Sequence, residues 1–192
     1  MIPALSTHYA GRKFRSRTEA RWATFFDAAG IRYHYEWEGF SLREGYYLPD
    51  FWLPDMRIFV EIKGEEPTAE ELARCTQLAD VAECTTLLAV GPPEERATLR
   101  MFRPGEGEHT DRFVFARDRI ADFGFWLVGL PDDNATFWIG PTKIMSGHRA
   151  GPMFSGALEE AYVASQSARF ERGDGKKRHP EIKELGVDRS AA

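Results

Sequence analysis

The stretch Leu48–Gly64, LPDFWLPDMRIFVEIKG, decides the fold of this chain. It holds two short runs rich in aromatic and β-branched residues, which are typical of strands. The four residues Pro54–Arg57 separate them, and a proline followed by an aspartate is turn chemistry. With these four residues as a hairpin loop, Asp50 of the first strand lies opposite Glu61 of the second. The sequence therefore predicts an antiparallel pair with two carboxylates facing each other.

Side chains alternate between the two faces of a strand, so Glu61 and Lys63 share one face of the predicted hairpin. Two like charges opposite each other destabilise a sheet, and a cation would compensate them. Mg²⁺ prefers carboxylate and carbonyl oxygens. The pattern predicts a Mg²⁺ site formed by Asp50, Glu61 and the peptide carbonyl of Ile62. Lys63 would hold or deprotonate a water there, or stabilise charge on a phosphate.

The segments around this hairpin predict an α/β order of helix, three strands, helix and strand. Ser16 and Glu19 form an S-x-x-E capping pattern, and Gly30 is a suitable stop for the helix that follows. Thr68 and Glu71 repeat that pattern at a second helix. The predicted elements are a helix over 16–30, strands over 31–42, 46–53 and 58–64, a helix over 68–83 and a buried strand over 85–91.

Three regions are expected along the chain. Residues 1–94 form the core with a basic N-terminal arm, and residues 95–172 form a β-rich extension that ends in a helix. Residues 173–192 are polar and are expected to be disordered. The predicted extension contains short β-like pieces at 97–102, 112–117, 122–129 and 135–140 and a helix over 155–172.

Composition narrows the class of protein. The chain has 192 residues, of which 43% are hydrophobic and 29% charged, as suits one soluble domain with an extension. Its two cysteines, Cys75 and Cys84, exclude a disulfide scaffold and argue against a cysteine-based zinc site. No apolar run approaches the length of a membrane span, so we expect no membrane partner and a reducing, cytoplasmic location.

The formal net charge of −5 excludes a uniformly basic nucleic-acid binder. Basic residues nevertheless cluster before and within the first predicted helix, where Glu19 is the one acid among them. Such a cluster can contact phosphates, and the alternative is a solvated basic arm. The predicted nucleic-acid-binding residues are Arg15, Arg17 and Arg21.

The pattern Pro49-Asp50 followed by Glu61-Ile62-Lys63 resembles that of the PD-(D/E)xK nuclease superfamily, and small phage endonucleases and resolvases are closest in layout. Glu19 occupies the place of the first acidic residue in that pattern, on the helix before the first strand. The resemblance extends over about residues 12–91. It implies a restriction-endonuclease-like core with a mixed central sheet. It also implies a location in the cytoplasm of a bacterium or of a phage-infected host.

The resemblance also implies Mg²⁺-dependent hydrolysis of DNA phosphodiester bonds, with Mn²⁺ expected to substitute. Asp50 and Glu61 would be metal ligands, Lys63 the catalytic lysine and Glu19 a secondary metal or water ligand. Gln77 on the second helix is a possible further site residue. A double-strand cutter needs two sites, which a homodimer would supply.

Each of these residues has a structural alternative. Asp50 can form a turn after Pro49, Glu61 and Lys63 can form an ion pair at an exposed strand edge, and Glu19 can serve only as a helix cap. Asp55 belongs to a second Pro-Asp pair but lies in the predicted turn. Two other functions stay open: a catalytically silent nuclease fold that binds DNA or partners in a DNA-processing complex, and an interaction protein that docks through residues 95–170.

Overall fold

The computed structural model describes residues 6–94, 99–108, 112–117, 125–130, 136–139, 144–147 and 156–170. These residues form a mixed α/β fold. Its helices are α1 (Arg17–Ala29), α2 (Ala69–Ala82) and α3 (Gly156–Ser167). Its strands are β1 (Thr7–Tyr9), β2 (Arg12–Phe14), β3 (His34–Tyr35), β4 (Phe40–Leu42), β5 (Gly45–Tyr47), β6 (Phe51–Leu53), β7 (Ile58–Lys63), β8 (Thr85–Val90), β9 (Arg100–Arg103), β10 (Gly107–Glu108), β11 (Arg112–Arg117), β12 (Phe125–Leu130), β13 (Thr136–Ile139) and β14 (Ile144–Gly147).

A six-stranded sheet with the order β10-β9-β8-β7-β6-β3 is the centre of the fold. β7 and β8 are parallel, because α2 carries the chain back across the sheet, and the other neighbours are antiparallel. In the β6–β7 hairpin Phe51 faces Val60 and Leu53 faces Ile58. The predicted register is therefore confirmed, as is the predicted order of helix, antiparallel strands, helix and strand.

The first two predicted strands are wrong in their extent. Only His34–Tyr35 of 31–42 and only Phe51–Leu53 of 46–53 pair in the central sheet. The chain between them forms a separate two-stranded hairpin, β4–β5. Glu36 causes the break, since its φ of 50° is left-handed and turns the chain out of the sheet.

The basic N-terminal arm that the sequence predicts contains an antiparallel hairpin, β1–β2. Thr7 pairs with Phe14, and both side chains are buried. Ala10 and Gly11 both have positive φ, which makes the tight connection between the two strands. Phe14 stacks against Phe51, so the hairpin is attached to the core.

The predicted boundary at residue 94 does not separate two hydrophobic cores. β9 and β10 extend the central sheet, and α3 packs against α1. One buried cluster joins the two parts through Met101, Phe115 and Leu158. The chain beyond β10 is β-rich as predicted, with a four-stranded antiparallel sheet of β11 to β14. The predicted disordered tail, 173–192, lies outside the described residues.

The two faces of the central sheet carry different helices, and this separation positions the site. α1 lies on the face that contains Ile58, Val60 and Ile62, with which it shares one buried cluster. α2 covers the opposite face through Cys75 and Ala79, which pack with residues of β8 and β9. Alternation along β7 therefore places Glu61 and Lys63 on the α2 face.

The end of α1 depends on Gly30, which has a φ of 72° and donates its backbone N–H to the last turn. An added Cβ at Gly30 meets no atom within 4 Å, so the cost of a side chain there is conformational. We expect Gly30→Ala to lower the free energy of unfolding by about 1 kcal/mol. Gly30→Asn costs less, because asparagine tolerates this backbone region. Urea denaturation measures both changes.

Gly64→Ala is the matched control for this prediction. Gly64 also has open space around its Cα, but its φ is not left-handed. Alanine there leaves stability unchanged or raises it slightly by restricting the unfolded chain. Equal losses of stability in Gly30→Ala and Gly64→Ala would contradict the conformational explanation.

Candidate functional site

The β6–β7 hairpin brings Asp50 and Glu61 together. Asp50 directly precedes β6 and Glu61 lies within β7, and their side chains are only 3% and 5% exposed. Asp50 Oδ2 accepts a hydrogen bond of 2.8 Å from the backbone N–H of Ile62. The Asp50 side chain thus binds across the hairpin, where the backbone ladder of β6 has ended. This cross-strand contact differs from the local turn that was its structural alternative.

The carbonyl of Ile62 lies on the same side as Asp50. The N–H and C=O of one strand residue leave the strand at the same edge, and those of its neighbours leave at the other. The N–H of Ile62 points to Asp50, whereas the carbonyl of Lys63 accepts a 2.7 Å bond from Gly91 after β8. The structure therefore brings Asp50, Glu61 and the Ile62 carbonyl to one end of the hairpin.

Lys63 is held between two carboxylates. Its Nζ lies 3.0 Å from Glu61 Oε1 and 3.1 Å from Glu71 Oε1 of α2. Partial burial lowers the pKa of Lys63, but the two carboxylates outweigh it and the net shift is upward. Lys63 therefore carries a positive charge at neutral pH. It is suited to stabilise negative charge or to hold a water, and not to remove a proton.

Sequence reasoning missed Glu71 as a site residue, although it recognised the capping pattern. Glu71 Oε2 accepts from the backbone N–H of Thr68, which completes the capping box and leaves Oε1 for Lys63. This second contact depends on how α2 packs on the sheet, so no local signal in the sequence reveals it.

One oxygen of Glu61 is unsatisfied. Oε2 is buried and has no hydrogen-bond donor among the described residues. Burial raises the pKa of Tyr47, and the charge of Glu61 and a hydrogen bond between the two side chains raise it further. The Tyr47 hydroxyl therefore lies close to this carboxylate, although Oε2 itself has no hydrogen-bond partner among the described residues. An unpaired buried carboxylate oxygen is costly, so this atom marks a position for a cation or another donor.

Asp50 lies close enough to two other acids for their charges to affect its pKa. Burial raises the pKa of Asp50 well above its usual value, and the charges of Glu61 and Glu19 add to the rise. The hydrogen bond from the Ile62 N–H and the charge of Arg15 lower the pKa of Asp50, but they do not cancel the rise. Negative charge is therefore concentrated at this end of the hairpin.

Glu19 is buried in the first turn of α1, and both of its oxygens are engaged. Oε1 accepts from the Ser16 hydroxyl at 2.7 Å, and Oε2 accepts from the Tyr35 hydroxyl at 2.6 Å and from the Arg15 N–H at 3.0 Å. Its observed role is that of a helix cap and an anchor for the chain before α1. It contributes charge to the site, but the structure does not present it as a free ligand.

Arg15 enters the site directly. Its Nη2 lies 2.6 Å from Asp50 Oδ1, and its Nε lies 2.9 Å from Glu36 Oε1. Glu36 is a second residue that sequence reasoning missed, because it lies within the predicted strand over 31–42. Its left-handed backbone and its bond from N–H to the Asp50 carbonyl place it there, and neither is visible in the local pattern.

The other predicted binding residues have different outcomes. The Arg17 side chain is exposed and forms no ion pair with a described residue. Arg21 donates two bonds of 2.7 Å to the carbonyls of Ser165 and Gln166 at the end of α3. Arg21 therefore caps the end of α3 from α1, and its contact with nucleic acid stays a prediction.

The hydrogen bond that Gln77 forms lies outside the Asp50–Glu61–Lys63 group. Gln77 Oε1 accepts the backbone N–H of Arg43 at 3.1 Å and fastens the β4–β5 turn to α2. The prediction of Gln77 as a site residue is therefore not supported by its contacts.

The donor set fits a hard divalent cation in chemistry, though with few protein ligands. Among the described residues no group of three or more His, Cys, Asp or Glu side chains is arranged as a metal site. Mg²⁺ commonly binds through one or two carboxylates and keeps several waters. Asp50, Glu61 and the Ile62 carbonyl meet that requirement, and the unsatisfied Glu61 oxygen supports it. The engaged oxygens of Glu19 do not extend the set.

Comparisons of the chain with known protein families, with curated proteins and with solved structures find no match. Within the described ranges no helix is both long and apolar enough to cross a membrane.

The charge at Asp50 is expected to destabilise the metal-free protein at neutral pH. A carboxyl whose pKa is raised on folding stabilises the fold below its unfolded pKa, and this contribution is lost as pH rises through the folded pKa. Asp50→Asn, which cannot ionise, should therefore raise the urea midpoint at pH 8 in EDTA. The gain should vanish as pH falls toward 4.

Asp55→Asn is the matched control. Asp55 forms an exposed pair with Arg32, whose hydrogen bond lowers the pKa of Asp55. Loss of the Asp55 carboxylate should lower the urea midpoint at neutral pH. The decrease should be slight, because solvent screens exposed ion pairs. A lower midpoint for Asp50→Asn at pH 8 would contradict the proposed charge conflict.

Proposed function

We propose that the chain is a divalent-metal-dependent nuclease that hydrolyses DNA phosphodiester bonds at the Asp50–Glu61–Lys63 site. One observation carries this proposal: Glu61 Oε2 is buried near Asp50 with no hydrogen-bond donor among the described residues, and burial and neighbouring acids raise the pKa of Asp50. Proteins keep such charge conflicts mainly at functional sites. A cation would resolve the conflict, and Lys63 stands beside it with its positive charge maintained.

One group of residues would hold the metal, and another would act on the water and the phosphate. Asp50, Glu61 and the Ile62 carbonyl would hold a divalent cation, which supplies a water of lowered pKa and charge neutralisation at the phosphate. The Lys63 ammonium, fixed by Glu71, would orient the attacking water and stabilise negative charge on the phosphate oxygens. The Tyr47 hydroxyl keeps its proton, because its pKa is raised, and can donate a hydrogen bond.

Basic residues that precede and follow Arg15 in the chain support a polyanionic substrate. The β1–β2 hairpin leads directly into Arg15, and its Arg12 and Lys13 side chains are exposed, as is Arg17. None of these last three forms an ion pair with a described residue. The overall charge of −5 does not oppose DNA binding at the site, because a bound cation reverses the local sign.

The test is cleavage of supercoiled plasmid, linear duplex, single-stranded DNA and RNA with Mg²⁺, Mn²⁺ or EDTA. We expect metal-dependent cutting of DNA that falls by about 10²-fold or more in Lys63→Met, which removes the positive charge beside the reacting phosphate. A similar loss is expected in Glu61→Gln, which removes a charged ligand of the metal. Asp55→Asn is the control and should keep its activity, because Asp55 pairs with Arg32 in the hairpin loop.

Other results would change the conclusion. DNA binding without cutting under any condition would favour a catalytically silent binding module, and equal activity in Lys63→Met would reject the site. Cutting of RNA but not of DNA would show that the substrate is RNA. Double-strand cutting with a mass of two chains in solution would support a homodimer.

A second prediction concerns the β1–β2 hairpin. If Arg12 and Lys13 contact phosphates, the double substitution to alanine makes the plot of log affinity against log salt concentration less steep. The magnitude of the negative slope falls by about 0.9 for each lost contact. The measurement is duplex binding in Ca²⁺ over a series of salt concentrations. Arg57→Ala is the control, because Arg57 lies in the loop at the opposite end of the β6–β7 hairpin. An equal slope for both variants would exclude the hairpin from the interface.

A further inference from the structure

We infer that Arg15 occupies the cation position at Asp50 in the metal-free protein and leaves it for a substrate phosphate when a divalent cation binds. This inference rests on the proposed function and adds to it a coupling between the metal and the substrate. Arg15 would control access to the metal site and would also bind the DNA phosphate directly.

The contacts of Asp50 show why the two cations compete. Oδ2 is committed to the N–H of Ile62, which fixes the carboxyl group in place. Oδ1 is the oxygen that remains, and Arg15 Nη2 binds it at 2.6 Å. A metal ion at Asp50 therefore needs the atom that the guanidinium holds, and it would also repel that guanidinium.

The structure allows Arg15 to move without unfolding its surroundings. The backbone N–H is fixed by Glu19 Oε2 and the Tyr35 hydroxyl, so the chain stays in place. The side chain is 54% exposed, and it is tethered to Glu36 through Nε. Release from Asp50 therefore swings the guanidinium about Glu36 and keeps it beside the site.

A released guanidinium is suited to a phosphate. It presents a planar set of N–H donors that can bind two phosphate oxygens at once. Metal binding would thus supply a phosphate ligand, and a bound phosphate would keep Arg15 away from Asp50. Each ligand then strengthens the other, and the coupling is the same in both directions.

The first arm of the test measures Mn²⁺ affinity without DNA by electron paramagnetic resonance. Arg15→Gln should bind Mn²⁺ at least about fivefold more tightly than the natural protein, because the competing cation is gone. Arg17→Gln is the matched control: it makes the same charge change on a neighbouring exposed arginine that does not touch Asp50. Asp50→Asn should lose the site. If Arg15→Gln does not fold, Arg15→Ala takes its place.

The second arm measures binding of a short labelled duplex in EDTA and in Ca²⁺. Arg15 is bound to Asp50 in EDTA, so Arg15→Gln should have little effect there and should weaken binding several-fold in Ca²⁺. Arg17→Gln should weaken binding to the same degree in both. If Arg15→Gln weakens duplex binding equally in EDTA and in Ca²⁺, the proposed move of Arg15 from Asp50 to a phosphate is wrong.

The outcomes separate this inference from the proposed function. If Mn²⁺ binding is lost in Asp50→Asn but is equal in Arg15→Gln and Arg17→Gln, the metal site stands and the role of Arg15 falls. If none of the proteins binds Mn²⁺, both proposals fall. Tighter Mn²⁺ binding in Arg15→Gln alone, with a Ca²⁺-specific loss of DNA affinity, supports both.

Discussion

The hydrogen bond from the Ile62 N–H to Asp50 Oδ2 is the contact on which the rest of the site depends. It continues the β6–β7 ladder with a side chain at the point where the backbone of β6 turns away. It also holds Asp50 next to Glu61 and leaves Oδ1 to bind Arg15. The four-residue turn Pro54–Arg57 sets this arrangement, because it fixes which residues face each other. A slip of one residue would move Glu61 to the α1 face of the sheet and leave Asp50 without its partner.

The site is a concentration of negative charge that the fold partly compensates. Lys63 pairs with Glu61 Oε1 and Arg15 pairs with Asp50 Oδ1. Glu61 Oε2 nevertheless has no donor in the part of the chain that the structure describes, and the pKa of Asp50 stays raised. A site optimised for stability would pair or remove these acids. The remaining conflict is the kind of local cost that a fold retains for binding, and it connects the stability of the protein with its proposed chemistry.

Local sequence predicts the parts of this structure that local physics controls. The β6–β7 register follows from alternation and turn length, and the ends of α1 and α2 follow from caps and from Gly30. The left-handed backbone of Glu36 was not predictable, because glutamate does not favour it and only its packed surroundings maintain it. The role of Arg21 was missed for a related reason: its partners lie at the end of α3, far away in the chain.

The two capping motifs show how a local feature becomes part of a site. Glu19 and Glu71 each occupy the third position of their helix, where the cap and the positive end of the helix dipole favour a carboxylate. The hydrogen bond from the Thr68 N–H, above all, lowers the pKa of Glu71. Glu71 then holds Lys63, and Glu19 fixes the backbone from which Arg15 extends. The helices thus orient, through their first turns, the two cations that face the Asp50–Glu61 pair. A residue that caps a helix can therefore also belong to the site, and the sequence shows the first role because only the first is local.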